Sequence, residues 1–267
     1  LKEYYLTRTE LALFDQHLDA VAQLLPEATC LIEYGSGSSL KIRKVLQSLV
    51  PTAYVPVDIS RLHLQDNARR LHDDFPELAV YPVCADITQP FALPGEVEGL
   101  AKVAFFPGSS IGNFDPPDAL GFLINVHTAV GTGGTLLIGV DRKKQRDVVE
   151  AAYNDAEGVT AAFNLNVLEH LNNELDADFD LAGFRHLARY DEDHGRIQMF
   201  LQSVREQHVQ VANQRVHFAR DEVVHTENSY KYHPEEFLSL AAQAGFASVS
   251  QYDDDRGWFS LHLLRAV

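Results

Sequence analysis

Glycine and aspartate residues in the first quarter of the sequence have the types and spacing of a nucleotide-binding site. Gly35 and Gly37 lie between an apolar run at residues 30–32 and a helical pattern that begins at Leu40, as expected where a buried strand turns tightly into a helix. Glycine suits such a turn because it adopts backbone angles closed to other residues and lets a ligand approach the main chain. Asp58 ends the next apolar run, about 20 residues later, where a carboxylate can accept hydrogen bonds from ribose hydroxyls. These residues predict a ligand that contains a ribose.

Two later segments place more polar residues at the same predicted edge of a sheet. Asp86 and Ile87 follow a third apolar run, and the sequence FFPGSSIGNF at residues 105–114 ends a fourth. Loops at the carboxyl ends of parallel strands form the ligand sites of such sheets. The residues alone leave two interpretations of Asp86 open, contact with an adenine amino group and an ordinary turn or helix cap.

The elements that must position these residues follow a regular order. Strand-like runs at residues 53–57, 79–84, 102–106 and 135–140 alternate with helical patterns at 41–49, 60–75 and 118–130. Such alternation predicts an α/β fold with a parallel, doubly wound sheet. A helix at 234–245 and a strand pair at 246–252 and 258–264 would close it in the manner of a Rossmann-like class I methyltransferase sheet.

Between residues 144 and 233 the pattern changes. Residues 148–175 have a helical pattern, and short alternating runs typical of an antiparallel sheet follow at 184–190, 196–206, 208–211 and 222–230. We therefore predict two parts. A cofactor-binding core comprises residues 17–143 and 234–267, and an inserted α+β subdomain at 1–16 and 144–233 covers the pocket and binds the substrate.

Composition narrows the classes of partner. The 267-residue chain has a formal net charge of −16, which disfavours nucleic acids and anionic membranes and favours a small molecule. It lacks a run of roughly 20 apolar residues, so we expect a soluble, cytoplasmic protein, with a monomer favoured. Cys30 and Cys84 lie in apolar runs, which predicts two buried, reduced thiols. We expect no metal, because the 12 histidines lack ligand spacing and Asp253, Asp254 and Asp255 are typical of a hairpin turn.

Five motifs in a fixed order resemble a single family and cover nearly the whole chain. They are YYLTRTE at residues 4–10, EYGSGSSLK at 33–41, FFPGSSIGNF at 105–114, AAFNLNVLEHLNNELDADFD at 161–180 and HTENSYKY at 225–232. Together they resemble the histidine-specific Nα-methyltransferases of ergothioneine biosynthesis. The resemblance implies S-adenosylmethionine as the cofactor and transfer of three methyl groups to the α-amine of L-histidine, which gives hercynine.

The resemblance also implies roles for individual residues. The family's cofactor-binding positions fall on Gly35, Lys41, Asp58, Asp86, Ile87 and Gly108. Its substrate-binding positions fall on Asn113 and Tyr153 for the carboxylate, Glu227 and Ser229 for the imidazole, and Tyr5 and Met199 for the pocket.

The imidazole assignment fits the chemistry of the two residues. Glu227 and Ser229 are two apart on a predicted strand, so their side chains point to the same face. A carboxylate accepts an imidazole N–H, and a hydroxyl can donate to or accept from the other nitrogen. Without the resemblance, Glu227 would be interpreted as a solvated strand residue. The expected mechanism is in-line displacement at the sulfonium methyl by the neutral amine, and we assign no general base.

Other functions stay open at this point. A nicotinamide-dependent oxidoreductase is disfavoured because Leu40 replaces the third glycine of G-x-G-x-x-G. The same methyl transfer to another amino acid or amine is the nearer alternative. A non-catalytic amino-acid sensor is disfavoured because Gly35, Asp58 and Gly108 are intact. The chain begins at Leu1, after the position of a tyrosine-bearing lid segment in the family. We expect a fragment without that segment to bind the cofactor but to hold histidine weakly.

Overall fold

The computed structural model describes residues 1–36 and 39–267 and divides into two compact units. The core unit comprises Leu6–Lys143 and Tyr232–Val267, and the insert unit comprises Leu1–Tyr5 and Lys144–Lys231. The first boundary falls after Tyr5 rather than after residue 16. The helix that begins at Leu6 belongs to the core unit because it packs on a neighbouring helix and on the last strand of the central sheet.

Helices and strands make up most of the described chain. The helices are α1 (Leu6–Ala22), α2 (Ser39–Leu49), α3 (Arg61–Asp74), α4 (Pro116–Val130), α5 (Arg146–Tyr153), α6 (Val159–Leu175) and α7 (Pro234–Gln243). The strands are β1 (Thr29–Tyr34), β2 (Ala53–Asp58), β3 (Ala79–Val80), β4 (Val83–Cys84), β5 (Ala101–Phe106), β6 (Thr135–Asp141), β7 (Phe184–Asp191), β8 (Arg196–Ser203), β9 (Gln207–Val211), β10 (Gln214–Phe218), β11 (Val223–Tyr230), β12 (Phe246–Asp253) and β13 (Phe259–Ala266).

The core unit is built on a mostly parallel sheet, as the alternation predicted. Its order is β12-β13-β6-β5-β1-β2-β3, and β4 also pairs with β2. Every residue of β1 and of β6 is buried, as expected for strands covered on both faces. The strands β12 and β13 form the antiparallel hairpin at the edge, so the predicted closing strand pair is confirmed.

Two predictions for the core need correction. The strand predicted at residues 79–84 is two short strands, β3 and β4, which pair separately with the two ends of β2. Cys30 is buried, but Cys84 is exposed, so the prediction of two buried thiols was wrong for Cys84. Although Cys84 has apolar neighbours in the sequence, its thiol is exposed because β4 is only two residues long and lies at the edge of the sheet. Both cysteines are free thiols.

The insert unit contains a three-stranded antiparallel sheet, β11-β8-β7, and a separate hairpin, β9-β10. Strand β10 was not predicted. The apolar core of the insert unit joins α6 to the three-stranded sheet and to the hairpin. It contains Leu168, Phe179, Phe184, Leu201, Val209 and Phe218.

The single helix predicted at residues 148–175 is in fact two, α5 and α6. Gly158 has φ +72°, which ends the helical path, and the Asp155 carboxylate accepts hydrogen bonds from the Val159 and Thr160 amides at 2.8 Å each. These contacts satisfy two amides that would otherwise lack partners at the start of α6.

Between residues 1 and 36 and from 39 onward, helices long and apolar enough to cross a bilayer are absent.

Candidate active site

A cavity of about 310 Å³ opens in the core unit beside the carboxyl ends of β1 and β5. Its position agrees with the rule that ligands bind at the carboxyl ends of parallel strands. Five of the predicted site residues line it: Gly35, Lys41, Ile87, Gly108 and Asn113. The other lining residues are Glu33, Tyr34, Phe106, Pro107, Ser110 and Phe114.

Two glycines let the backbone form part of the cavity wall. Gly35 has φ +74° and Gly108 has φ +78°, angles that strain any residue with a side chain. A Cβ atom on Gly108 would lie 3.1 Å from Lys41 Nζ, and one on Gly35 would lie 4.0 Å from Ile87. Main-chain atoms therefore face the cavity at both places. Gly37, the second glycine of the turn, lies outside the described residues.

A buried carboxylate in α1 anchors this wall and was missed in the sequence. Glu10 is fully buried, pairs with Lys41 Nζ at 2.7 Å and accepts a hydrogen bond from the Gly108 amide at 2.8 Å. Burial raises the pKa of Glu10, while the charge of Lys41 opposes that rise. One signal was available, since Glu10 occupies a core position of the α1 pattern between Leu6 and Phe14.

Glu33, at the end of β1, is a second buried carboxylate that the sequence did not single out. It lines the cavity, is 1% exposed and accepts a hydrogen bond from the Tyr54 hydroxyl. Burial raises its pKa to about 7, with the Tyr54 and Ser36 hydroxyls and Lys41 acting in the opposite direction. Its protonation therefore changes near neutral pH.

The two predicted nucleotide-binding aspartates lie beyond the residues that line this cavity. Asp58 accepts a hydrogen bond from the Ser60 amide at 2.8 Å. Asp86 is exposed and accepts from the Thr88 hydroxyl at 2.7 Å and the Thr88 amide at 2.9 Å, which lowers its pKa. An ordinary turn is thus present at Asp86, and contact of either aspartate with a ribose or an adenine stays a prediction.

Acidic and metal-ligating residues form no group of three or more that could hold a metal ion in the described part of the chain. Asp254 in the last hairpin accepts hydrogen bonds from the Trp258 and Phe259 amides at 2.6 and 2.7 Å. It closes a turn, as its sequence context predicted.

In the insert unit, the side chains of Tyr153, Ser229 and Lys231 meet in a triangle. Tyr153 ends α5, Ser229 lies in β11 and Lys231 follows β11 directly. Tyr153 Oη lies 2.9 Å from Ser229 Oγ, and the buried Lys231 Nζ donates to Tyr153 Oη at 2.9 Å and to Ser229 Oγ at 2.8 Å. The rings of Tyr4 and Tyr153 pack edge to face, with their centroids 6.2 Å apart. Two predicted binding residues are therefore joined through Lys231, which the sequence did not single out.

Glu227 and Met199 lie on neighbouring strands of the same unit. They are directly opposite in the register of β11 and β8, and Ser229 lies two residues further along β11, so the three occupy one region of the sheet. Burial raises the pKa of Glu227, and the charge of Lys231 opposes that rise. A partly buried carboxylate beside two aligned hydroxyls can bind a ligand that offers both N–H donors and acceptors.

Tyr5, the remaining predicted pocket residue, is 1% exposed. Its hydroxyl accepts a hydrogen bond from Lys144 Nζ at 2.6 Å, and the same ammonium lies 4.5 Å from the centre of its ring. The Tyr5 hydroxyl is therefore held in place by a cation.

Similarity to known proteins identifies the family of this chain. Residues 1–266 match the family described as histidine-specific methyltransferase, SAM-dependent. The chain is 35% identical to Histidine N-alpha-methyltransferase of Mycolicibacterium smegmatis over 98% of its own length and 83% of that protein. It is 34% identical to the protein of the same name in Mycobacterium tuberculosis, with the same two coverages. It is 31% identical to Ergothioneine biosynthesis protein 1 of Neurospora crassa over 99% of its length but 30% of the larger protein.

Solved structures agree at the level of the fold. An S-adenosylmethionine-dependent methyltransferase from Clostridium acetobutylicum superposes with a TM-score of 0.53 and 12% identity, covering 99% of this chain and 91% of the other. The CcbJ methyltransferase of Streptomyces caelestis gives a TM-score of 0.52 and 15% identity, with 97% and 89% covered. At these identities the likeness supports the predicted Rossmann-like class I methyltransferase sheet and says nothing of the substrate.

Proposed function

Because the chain belongs to the S-adenosylmethionine-dependent family of histidine-specific methyltransferases, we propose that it methylates the α-amine of L-histidine, with the trimethylated product hercynine as the end point. The observation that supports this best is the alignment of Glu227 with the linked hydroxyls of Tyr153 and Ser229. A nicotinamide-dependent oxidoreductase finds no support in the comparisons.

The cavity of the core unit fits S-adenosylmethionine in its chemistry. Backbone without side chains at Gly35 and Gly108 leaves room for a ligand along the wall, and Glu33 offers a carboxylate to a cation. Lys41 lies with Glu10 at the same wall and is positioned to contact a carboxylate. When bound, S-adenosylmethionine supplies a methyl group that its sulfonium already activates.

The remaining work of the protein is to bind and orient the amino acid. In the proposal, Tyr153 and Asn113 donate hydrogen bonds to its carboxylate, Glu227 accepts one ring N–H, and Ser229 serves the other nitrogen. Holding a ligand at both ends leaves its amine with few orientations, and such positioning is worth several kcal/mol of a barrier. Met199 forms an apolar wall beside Glu227.

Glu227 is proposed to determine the selectivity for histidine. Leaving a partly buried carboxylate such as that of Glu227 without a donor costs up to about 1–3 kcal/mol, so amino acids without a matching N–H should bind more weakly. Because a relative at 26% identity is named L-tryptophan methyltransferase, tryptophan is the sharpest competitor for a test.

The test is mass spectrometry of histidine and of tryptophan incubated separately with the protein and S-adenosylmethionine. We expect histidine to gain up to three methyl groups and Glu227→Ala to lose at least tenfold of the preference for histidine. Exposed Glu206→Ala, on the same unit, is the control and should leave the preference unchanged. Absence of any methylated histidine would contradict the proposed activity, and unchanged selectivity in Glu227→Ala would contradict the role of Glu227.

A further inference from the structure

Lys231 is a buried lysine whose ammonium contacts two proposed substrate-binding hydroxyls. It is 1% exposed and follows directly after β11. We propose that Lys231 is a positioning residue that fixes the hydroxyl hydrogens of Tyr153 and Ser229 for an amino-acid ligand. This inference rests on the proposed function, since it concerns how the same site recognises its substrate.

The number of hydrogens on each group sets the direction of the hydrogen bonds in the triangle. A lysine ammonium has three donors and no acceptor, so both hydroxyl oxygens must accept from it. The hydrogens of Tyr153 and Ser229 then point away from Lys231. Because the two oxygens are 2.9 Å apart, one hydroxyl donates to the other. Without a ligand, the triangle keeps one hydroxyl hydrogen inside and directs the other outward. A ligand with two acceptors can draw both hydrogens to itself, because neither can turn towards Lys231.

The outward hydrogen gives the site a defined polarity. It supplies one hydrogen bond to an acceptor, and the carboxylate of Glu227 takes one from a donor. A ligand bound here must therefore present an acceptor and an N–H together. A free hydroxyl pair without the ammonium could rotate and would accept as readily as it donates.

Burial makes a space-filling role for Lys231 expensive. An ammonium removed from water is tolerated only where hydrogen bonds and opposite charge replace its hydration. Here the two hydroxyls, the face of the Tyr153 ring at 4.8 Å and the charge of Glu227 provide that replacement. A methionine would fill a similar volume without these requirements, so the lysine is explained by what it holds.

Calorimetry on the full chain separates these interpretations. S-adenosylhomocysteine is titrated first, and L-histidine is then titrated into the saturated protein, for wild type, Lys231→Met and Lys231→Gln. We expect Lys231→Met to weaken histidine binding by about 10- to 100-fold, the range for hydrogen bonds to a charged group, with S-adenosylhomocysteine affinity within twofold of wild type. Lys231→Gln, which keeps an uncharged donor, should lie between the two and decides the matter if Lys231→Met does not fold.

A double-mutant cycle adds a readout that a purely structural role would not move. If Lys231 acts through the hydroxyl, Tyr153→Phe should cost much less in the Lys231→Met protein than in wild type. Lys102→Met is the matched control, because this lysine is in the core unit and donates to the Leu100 carbonyl. It should leave histidine affinity unchanged.

Three results would overturn the inference. Histidine affinity in Lys231→Met within twofold of wild type, while Glu227→Gln loses binding, removes the role of Lys231 and leaves the proposed function standing. A parallel loss of S-adenosylhomocysteine affinity assigns Lys231 to folding instead. Failure of the wild-type protein to bind histidine contradicts the proposed function itself, and the inference falls with it.

Discussion

Glu33 provides a test of the cavity's electrostatics that does not depend on knowing the substrate. Its carboxyl is 1% exposed, and burial raises its pKa from an ordinary 4.5 to about 7. The change is Glu33→Gln, which keeps an oxygen to accept the Tyr54 hydrogen bond but cannot ionise. At ~1.4 kcal/mol per pH unit, the distance between the two pKa values corresponds to about 3 kcal/mol.

Whether stability rises or falls with pH depends on which state, folded or unfolded, holds the Glu33 proton more tightly. Between pH 4.5 and about 7 the folded protein keeps Glu33 protonated while the unfolded chain ionises it, so the folded state binds more protons. Stability therefore falls as the pH rises through this window. The favourable contribution of the neutral carboxyl is present below pH 4.5, and the full penalty of about 3 kcal/mol applies above about pH 7.

Urea unfolding at pH 5, 6, 7 and 8, without ligands, measures how the free energy of unfolding changes with pH. Wild type should lose about 2–3 kcal/mol relative to Glu33→Gln between pH 5 and pH 8. Exposed Glu96→Gln, also in the core unit, should run parallel to wild type. If the difference between wild type and Glu33→Gln stays constant within about 0.5 kcal/mol over this range, Glu33 does not titrate as described.

Two further predictions concern the same cavity. Gly108→Ala should weaken S-adenosylhomocysteine binding at least tenfold by calorimetry, because the added Cβ would displace Lys41 Nζ. The control is Gly99→Ala, which has a similar φ of +89° but open space around its Cβ and should leave binding unchanged. Equal losses of affinity in the two variants would contradict this prediction. Because a cation favours ionised Glu33, the affinity for S-adenosylmethionine should rise up to about fivefold from pH 6 to pH 7, as the ionised fraction of Glu33 grows to about one half. The affinity for S-adenosylhomocysteine, whose thioether is uncharged, should rise less, and equal slopes for the two ligands would contradict this prediction.

The sequence predicted helices and strands well where the spacing of apolar residues matches the faces that are buried. The strands β1, β2, β5 and β6 were evident because parallel strands that are largely buried form nearly continuous apolar runs. The break between α5 and α6 was hidden, since the apolar pattern continues across it. In the structure, the carboxylate of Asp155 and the positive φ of Gly158 mark the interruption. In a sequence, aspartate and glycine also occur inside or beside uninterrupted helices, so these residue types did not reveal it.

The predicted site residues were found through motifs, and the residues that support them were not. Gly35, Lys41, Gly108 and Asn113 line one cavity, and their contact with a ligand stays a prediction. Glu10 was overlooked because an acidic residue in a helix is ordinarily solvated, and its partner Lys41 is distant in sequence. The pairing exists only once α1 and α2 pack together. Long-range pairing of this kind cannot be read from local pattern.

The charges of the two units match the ligands proposed for them. In the core unit Glu10 and Lys41 form a neutral pair, which leaves Glu33 as the group whose charge changes near neutral pH. Once ionised, this set carries one net negative charge, complementary to S-adenosylmethionine with its sulfonium, ammonium and carboxylate. A dinucleotide pyrophosphate would instead meet repulsion, an argument against an oxidoreductase that is independent of Leu40. In the insert unit Glu227 and Lys231 balance, which suits a zwitterionic amino acid whose ring is neutral.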